Sequence, residues 1–215
     1  MDWKLIVQHL PLYLKGAVVT MELTIASMFL GVAAGLLIIT LRLGRVRILR
    51  IAASMYVSVI RGTPLLLQIM LIFYALPFLG INLSPMPSGI LALSINLAAY
   101  MSETFRGGIQ TVPQLQIGAA YLDGCTRMQC LRYIILPQAF YNILPQLGNT
   151  FVQTIKDTSM VSVITITELL RTAQIVYAVN FKPIEAYLVA AVLYYFLSEA
   201  VSKTFREIEK KMETL

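Results

Sequence analysis

Two sets of polar residues stand inside otherwise apolar stretches of this 215-residue chain, and each set has the spacing of a single helical face. Asn96, Tyr100 and Glu103 follow at i, i+4 and i+7; Asn149, Gln153 and Asp157 follow at i, i+4 and i+8, with Lys156 alongside. Carboxylates and amides in an apolar medium are costly, so such groups turn toward a partner or a water-filled cavity. Opposed across a cavity, the two stripes would present Glu103 and Asp157 with amides between them. That arrangement suits a cationic amino acid, and Lys156 could then meet its α-carboxylate. The same residues also admit a structural role, with Glu103 against Arg106 at i+3 and with Asp157 and Lys156 paired to neighbouring helices.

The medium around these stripes is set by composition. The chain is 58% hydrophobic and 13% charged, with a mean hydropathy of +0.74, whereas an average soluble domain is about 25% charged. A soluble globule of this kind would leave large apolar patches in water, which excludes an ordinary cytosolic enzyme. At about 20 residues per crossing, the length suits five or six helical spans joined by short connections. The expected fold is therefore all-α and integral to the membrane, a single transmembrane domain over residues 1–215 with no room for a sizeable soluble catalytic domain.

Five apolar runs can be followed: Gly16 to Leu41, Ile51 to Pro77, Gly89 to Phe105, about Ile143 to Leu170, and Ile184 to about Val201. The first contains Gly31 and Gly35, a pair that lets another helix approach closely. The second is interrupted at Arg61-Gly62-Thr63-Pro64, where proline removes a backbone donor and disfavours helix in the residue before it; a break or kink is expected. Eleven of the 17 basic residues fall in three connections: Arg42, Arg45, Arg47 and Arg50; Arg106, Arg127 and Arg132; and Lys203, Arg206, Lys210 and Lys211. Four, Lys4, Lys15, Arg171 and Lys182, fall on the opposite side. This asymmetry predicts five spans with the N-terminus outside and the C-terminus in the cytoplasm.

Between the third and fourth runs, hydropathy drops across a cytoplasmic excursion of about residues 109–137. It reads Gly118-Ala119-Ala120-Tyr121-Leu122-Asp123-Gly124, then nine residues, then Ile134-Ile135-Leu136-Pro137. Two alanines give a short helix with a smooth face, Gly124 allows a turn beside it, and Pro137 permits a change of direction. The pattern resembles the EAA loop of ABC importer permeases, departing from it where Gly118 replaces the usual Glu. Arg61-Gly62-Thr63-Pro64, the segment Ala99 to Ile109 and Lys156-Asp157-Thr158-Ser159-Met160 resemble the polar amino-acid permeases, the histidine, arginine and glutamine group. The likeness runs from about Gly16 to Lys211.

The resemblance implies a bacterial inner-membrane, multi-pass subunit that pairs with a second permease, a homodimer copy or a sister chain, around a translocation path for a polar amino acid. It also implies a pair of cytosolic ABC ATPase subunits and an extracytoplasmic substrate-binding protein. Gly118, Ala119, Ala120 and Gly124 would form the ATPase-coupling surface; the resemblance does not fix the substrate site, for which the two polar stripes offer Asn96, Glu103 and Asp157 and, by their paired carboxylates, a basic solute. The chain contains no G-x-x-x-x-G-K-[ST] loop, so no cofactor is expected in it and no catalytic role; ATP and Mg would be bound by the partner ATPase. A secondary transporter driven by an ion gradient is the alternative, but no internal inverted repeat of that kind is detectable.

Other residues are expected to be structural. One His and two Cys are too few for a metal site of the usual composition, and Cys125 and Cys130 read as free thiols. No stretch interleaves basic and aromatic residues as a nucleic-acid binder would. Trp3, Tyr13, Tyr194 and Tyr195 read as interfacial or packing aromatics. Glu22 and Glu199 read as pairing within the protein or reaching toward headgroups.

Overall fold

A computed structural model describes residues 3–213, with side chains from 5 to 212; those of Trp3 and Lys4 lie outside the described set. Nine α-helices follow in the described chain: α1 (Trp3–Leu43), α2 (Arg47–Arg61), α3 (Leu65–Met70), α4 (Pro85–Gln110), α5 (Gln114–Leu122), α6 (Arg127–Cys130), α7 (Leu136–Asp157), α8 (Leu169–Asn180) and α9 (Pro183–Glu213). No strand occurs among the described residues.

Direction can be read from close contacts. A Cβ added to Gly31 would collide with Leu97, and one added to Gly35 with Met101. The register advances four residues on each helix, so α1 and α4 run parallel, with the glycine pair letting their backbones approach. Gly148 of α7 meets Phe205 of α9, while Glu168, beyond the far end of α7, accepts a hydrogen bond from Tyr194. These two helices are therefore antiparallel. Tyr13 donates to the carbonyl of Ala186 at 2.8 Å, joining the starts of α1 and α9. Helices α1, α4 and α9 thus share one direction, and α7 opposes them.

Two parallel helices joined in sequence need a return segment, and residues 47–79 supply it. By length and apolar composition, Leu5–Leu43 and Pro183–Met212 each suffice to cross a membrane, and two bent pairs bring the number to as many as four. Helix α4, with 26 residues, is about 39 Å long at 1.5 Å per residue. It is held between α1 and α7, so its polar residues need no contact with lipid.

The expected break in the second run is a bend of 107° between Arg47–Arg61 and Leu65–Leu79. It falls at Gly62-Thr63-Pro64, where Pro64 is the extended residue before α3. The fourth run differs from expectation. It is not one helix to Leu170: α7 ends at Asp157, a 3-10 segment covers Thr158–Ile164 and closes on Thr165 in the left-handed region, and α8 starts anew. Pro137 does not redirect the chain either. Helix α6, a π-helical turn over Leu131–Ile135 and α7 follow one another without a break, and Pro137 lies directly after that wide turn, where the i→i−4 pattern is already interrupted.

Three apolar clusters lie along α1 and hold the bundle together. The first gathers Leu5 and Tyr13 with Leu169, Val176 and Ala190. The second centres on Leu23, Ile69, Leu93 and Val161, and the third on Met28, Ile39, Met101 and Ile143.

Candidate functional site

Helices α4 and α7 run side by side and bring the two polar stripes to opposite walls of a cavity of about 560 Å³. Asn96 and Tyr100 line it from α4; Asn149, Gln153 and Asp157 line it from α7; Thr63 and Pro64 close it at the bend. The stripes therefore meet as their spacing implied, with one exception. Glu103 does not line the cavity. It lies one turn beyond Tyr100 and is taken up by arginines: Arg42 of α1 and Arg106 of α4 each reach it at 2.6 Å, and Arg61 of α2 at 3.9 Å. Arg42 also donates to Ser102 at 3.1 Å. The i+3 pairing with Arg106 is present, and a charged bond across 61 residues of sequence completes it.

Asp157 is the carboxylate left to the cavity. Its Oδ1 accepts from Gln153 Nε2 at 2.8 Å, one turn earlier on the same helix. No Lys or Arg is among the described residues lining the cavity. Lys156 is on the other flank of α7, beside a second cavity of about 660 Å³ shared with Tyr194, Tyr195 and Glu199. The 100° step between successive helical residues separates the two, so Lys156 does not face the site shared by Asn96 and Asp157.

Two polar residues that the spacing did not reveal support this region. Gln68 is 7% exposed and braces the bend: its Nε2 donates to the Ile60 carbonyl at 2.8 Å and to Thr63 Oγ1 at 2.9 Å. Its Oε1 accepts from Asn96 Nδ2 at 2.9 Å, fixing the orientation of a cavity residue. Its place one turn after Pro64 is the signal that could have marked it, since carbonyls freed by a proline break need donors. The other is Glu168, fully buried at the start of α8. It caps that helix by accepting from the N–H groups of Leu170 and Arg171 at 2.9 and 2.7 Å, and from the Tyr194 hydroxyl. Glu168 lines neither cavity; it ties α8 to α9.

The excursion after α4 forms helix α5, which ends in a Schellman turn. Cys125 N–H donates to the Ala120 carbonyl and Gly124 N–H to the Tyr121 carbonyl, with Gly124 at φ +84°. Thr126 and Gln129 then form a reciprocal capping box at the start of α6. Gly118, Ala119 and Gly124 are exposed, whereas Ala120 is 6% exposed and turned toward the chain. Leu115 and Leu122 stand out at 87% and 91% exposure, seven residues apart on one face. Gln138 of α7 donates to Gln116 of α5 at 2.9 Å, tying α5 to the helix that carries Asp157, and Asn142 donates to Thr111, the residue that caps the end of α4, at 2.7 Å. Cys125 and Cys130 are free thiols.

Comparison with known proteins gives consistent results. The family described as "Binding-protein-dependent transport system inner membrane component" matches residues 27–210. The L-cystine transport system permease protein TcyB of Bacillus subtilis (strain 168) is 41% identical over 213 residues, 98% of this chain and 91% of that protein. The glutamine transport system permease protein GlnP of Escherichia coli (strain K12) is 34% identical over 216 residues, covering 100% and 99%. A crystal structure described as an amino acid ABC transporter with histidines superposes with a TM-score of 0.94 at 37% identity, over 98% of this chain and 99% of the other. An inward-facing MetNI methionine ABC transporter shares the fold, with a TM-score of 0.75 at 19% identity and the same coverage. The chain belongs to the family of inner membrane components of binding-protein-dependent transport systems, as a multi-pass permease subunit of an ABC importer whose ATP is hydrolysed by separate subunits.

Proposed function

We propose that the cavity between α4 and α7 holds a polar amino acid during ATP-driven import, with Asp157 receiving its α-ammonium group. The carrying observation is a single carboxylate, half engaged by Gln153, in a cavity otherwise lined by amides, hydroxyls and apolar groups. The importer is an amino-acid system, as are the relatives named for cystine and glutamine and the structural neighbour described with histidines. The expectation of a basic solute rested on two facing carboxylates. With Glu103 committed to Arg42 and Arg106, one carboxylate remains, enough for an α-ammonium but not for a cationic side chain as well. The reading is therefore a polar amino acid, without the preference for a basic one.

Coupling to the ATPase pair is assigned to α5, with Gly118, Ala119, Leu115 and Leu122 outward and Gly124 setting the turn. Ala120 supports this surface from behind. Movement of α5 reaches α7, and with it Asp157, through the Gln116–Gln138 bond. The partners are the ATPase subunits, which hold ATP and Mg, a second permease chain and an extracytoplasmic binding protein. The arginine-rich connection after α1 favours the cytoplasm, which puts the N-terminus outside and the C-terminus inside.

The family supplies no support for the ion-gradient alternative. The test is uptake by the complete importer in proteoliposomes containing its binding protein. ATP inside the vesicles is expected to drive entry of a polar amino acid. Uptake driven by a sodium or proton gradient without ATP, or no uptake of any amino acid, would overturn the proposal.

A further inference from the structure

An amino acid is a zwitterion at neutral pH, and the cavity answers its two charges unequally: a carboxylate for the ammonium, but only neutral amide and hydroxyl donors for the carboxylate. Asp157 can meet the α-ammonium, but no Lys or Arg lines the cavity among the described residues. Neutral donors offset only part of the cost of desolvating a carboxylate, and a bond from a guanidinium or ammonium is roughly twice as strong. The missing positive charge should therefore lie close by, loosely held and able to turn.

Arg61 has these properties. It ends α2, immediately before the bend whose Thr63 and Pro64 form part of the cavity wall. Its guanidinium lies over the ring of Tyr100, 5.5 Å from the centroid, and Tyr100 is itself a lining residue. The side chain is 46% exposed, against 16% for Arg42 in the same cluster. Glu103 does not need it. Arg42 and Arg106 each bond that carboxylate at 2.6 Å, while Arg61 stands off at 3.9 Å, beyond hydrogen-bond distance. Three guanidiniums around one carboxylate leave positive charge in excess, and Arg61 is the member least committed to it.

We infer that Arg61 is the α-carboxylate-binding residue of the transport site, turning from its rest over Tyr100 to form a bidentate pair with the solute. This rests on the cavity reading given above. It makes Arg61 a specificity-determining residue: it selects solutes bearing a free carboxylate next to an ammonium, whatever their side chain.

The test is equilibrium binding to the detergent-solubilised permease–ATPase complex, without the binding protein, which would impose its own selection. The probes are L-glutamine, L-cystine and L-histidine, each beside its α-carboxamide. Arg61→Gln is expected to weaken amino-acid binding by about tenfold or more and to leave binding of the α-carboxamide unchanged. Arg61→Lys is expected to recover much of the loss. Equal weakening of acid and amide, or undiminished amino-acid binding in Arg61→Gln, would overturn the inference. Asp157→Asn separates the two ideas. If that variant loses binding while Arg61→Gln does not, the cavity reading stands and the Arg61 role falls; if wild type binds no probe, or Asp157→Asn binds as wild type does, the cavity reading itself falls.

Discussion

Glu103 and Asp157 each close a stripe of three polar residues on an apolar helix, and in the sequence they are equivalents. In the folded chain they stand in opposite surroundings. Glu103 accepts bonds from arginines of α1 and α4 and has a third guanidinium nearby; it joins helices and has little capacity left for a ligand. Asp157 has one amide partner from its own helix and faces a cavity. A carboxylate in a membrane protein is thus tied up or left available by what reaches it from other helices, and both situations occur here on two helices that pack together.

The comparison breaks most visibly at Glu103. Glu103→Gln leaves Arg42, Arg61 and Arg106 facing one another without their counter-charge, at a cost of about 1–3 kcal/mol. The thermal midpoint of the purified complex is expected to fall by several degrees, and Arg42→Gln in the same chain is expected to recover part of the loss. An unchanged midpoint would show that the cluster carries no stability.

A smaller effect is expected where the two regions are joined. Gln68→Ala removes the donors to the Ile60 and Thr63 side of the bend and frees Asn96. It should cost about 1–2 kcal/mol and expose residues 60–64 to limited proteolysis, with amino-acid affinity reduced less than by loss of Asp157. Equal protease resistance in variant and wild type would contradict the bracing role.

The smallest effect is expected away from both. A Cβ at Gly118 meets nothing within 4 Å, so Gly118→Glu should be accommodated and should favour α5 by about 0.5–1 kcal/mol. ATPase retained on the captured complex is expected to rise on the order of twofold and to lose that gain at high salt. Reduced retention would place Gly118 away from the contact.

Much of this was legible in local pattern. Three of the five apolar runs lie wholly in helices and the second is helical on both sides of its expected break, Pro64 marks the bend, Gly31 and Gly35 mark the tight crossing of α1 and α4, and Gly124 marks the end of α5. The stripes on α4 and α7 also met across a cavity, because a period near 3.6 fixes a face whatever lies opposite. What periodicity cannot carry is the partner. The bond from Arg42 to Glu103 spans 61 residues and depends on the parallel packing of α1 on α4. The position of Lys156 depended on which flank of α7 turned inward. The end of α7 at Asp157 was hidden because a 3-10 segment is as apolar as the helix it continues, and Glu168, lying among apolar neighbours, gave no stripe to follow.

The most direct test of the contrast is the stoichiometry and affinity of amino-acid binding to the purified complex in three forms: wild type, Asp157→Asn and Glu103→Gln. Loss of binding in Asp157→Asn, by about tenfold or more in affinity, with binding retained in Glu103→Gln at a temperature where it is folded, is the predicted result. Retained binding in Asp157→Asn together with loss in a folded Glu103→Gln would contradict it, and would make the arginine-held carboxylate the transport group.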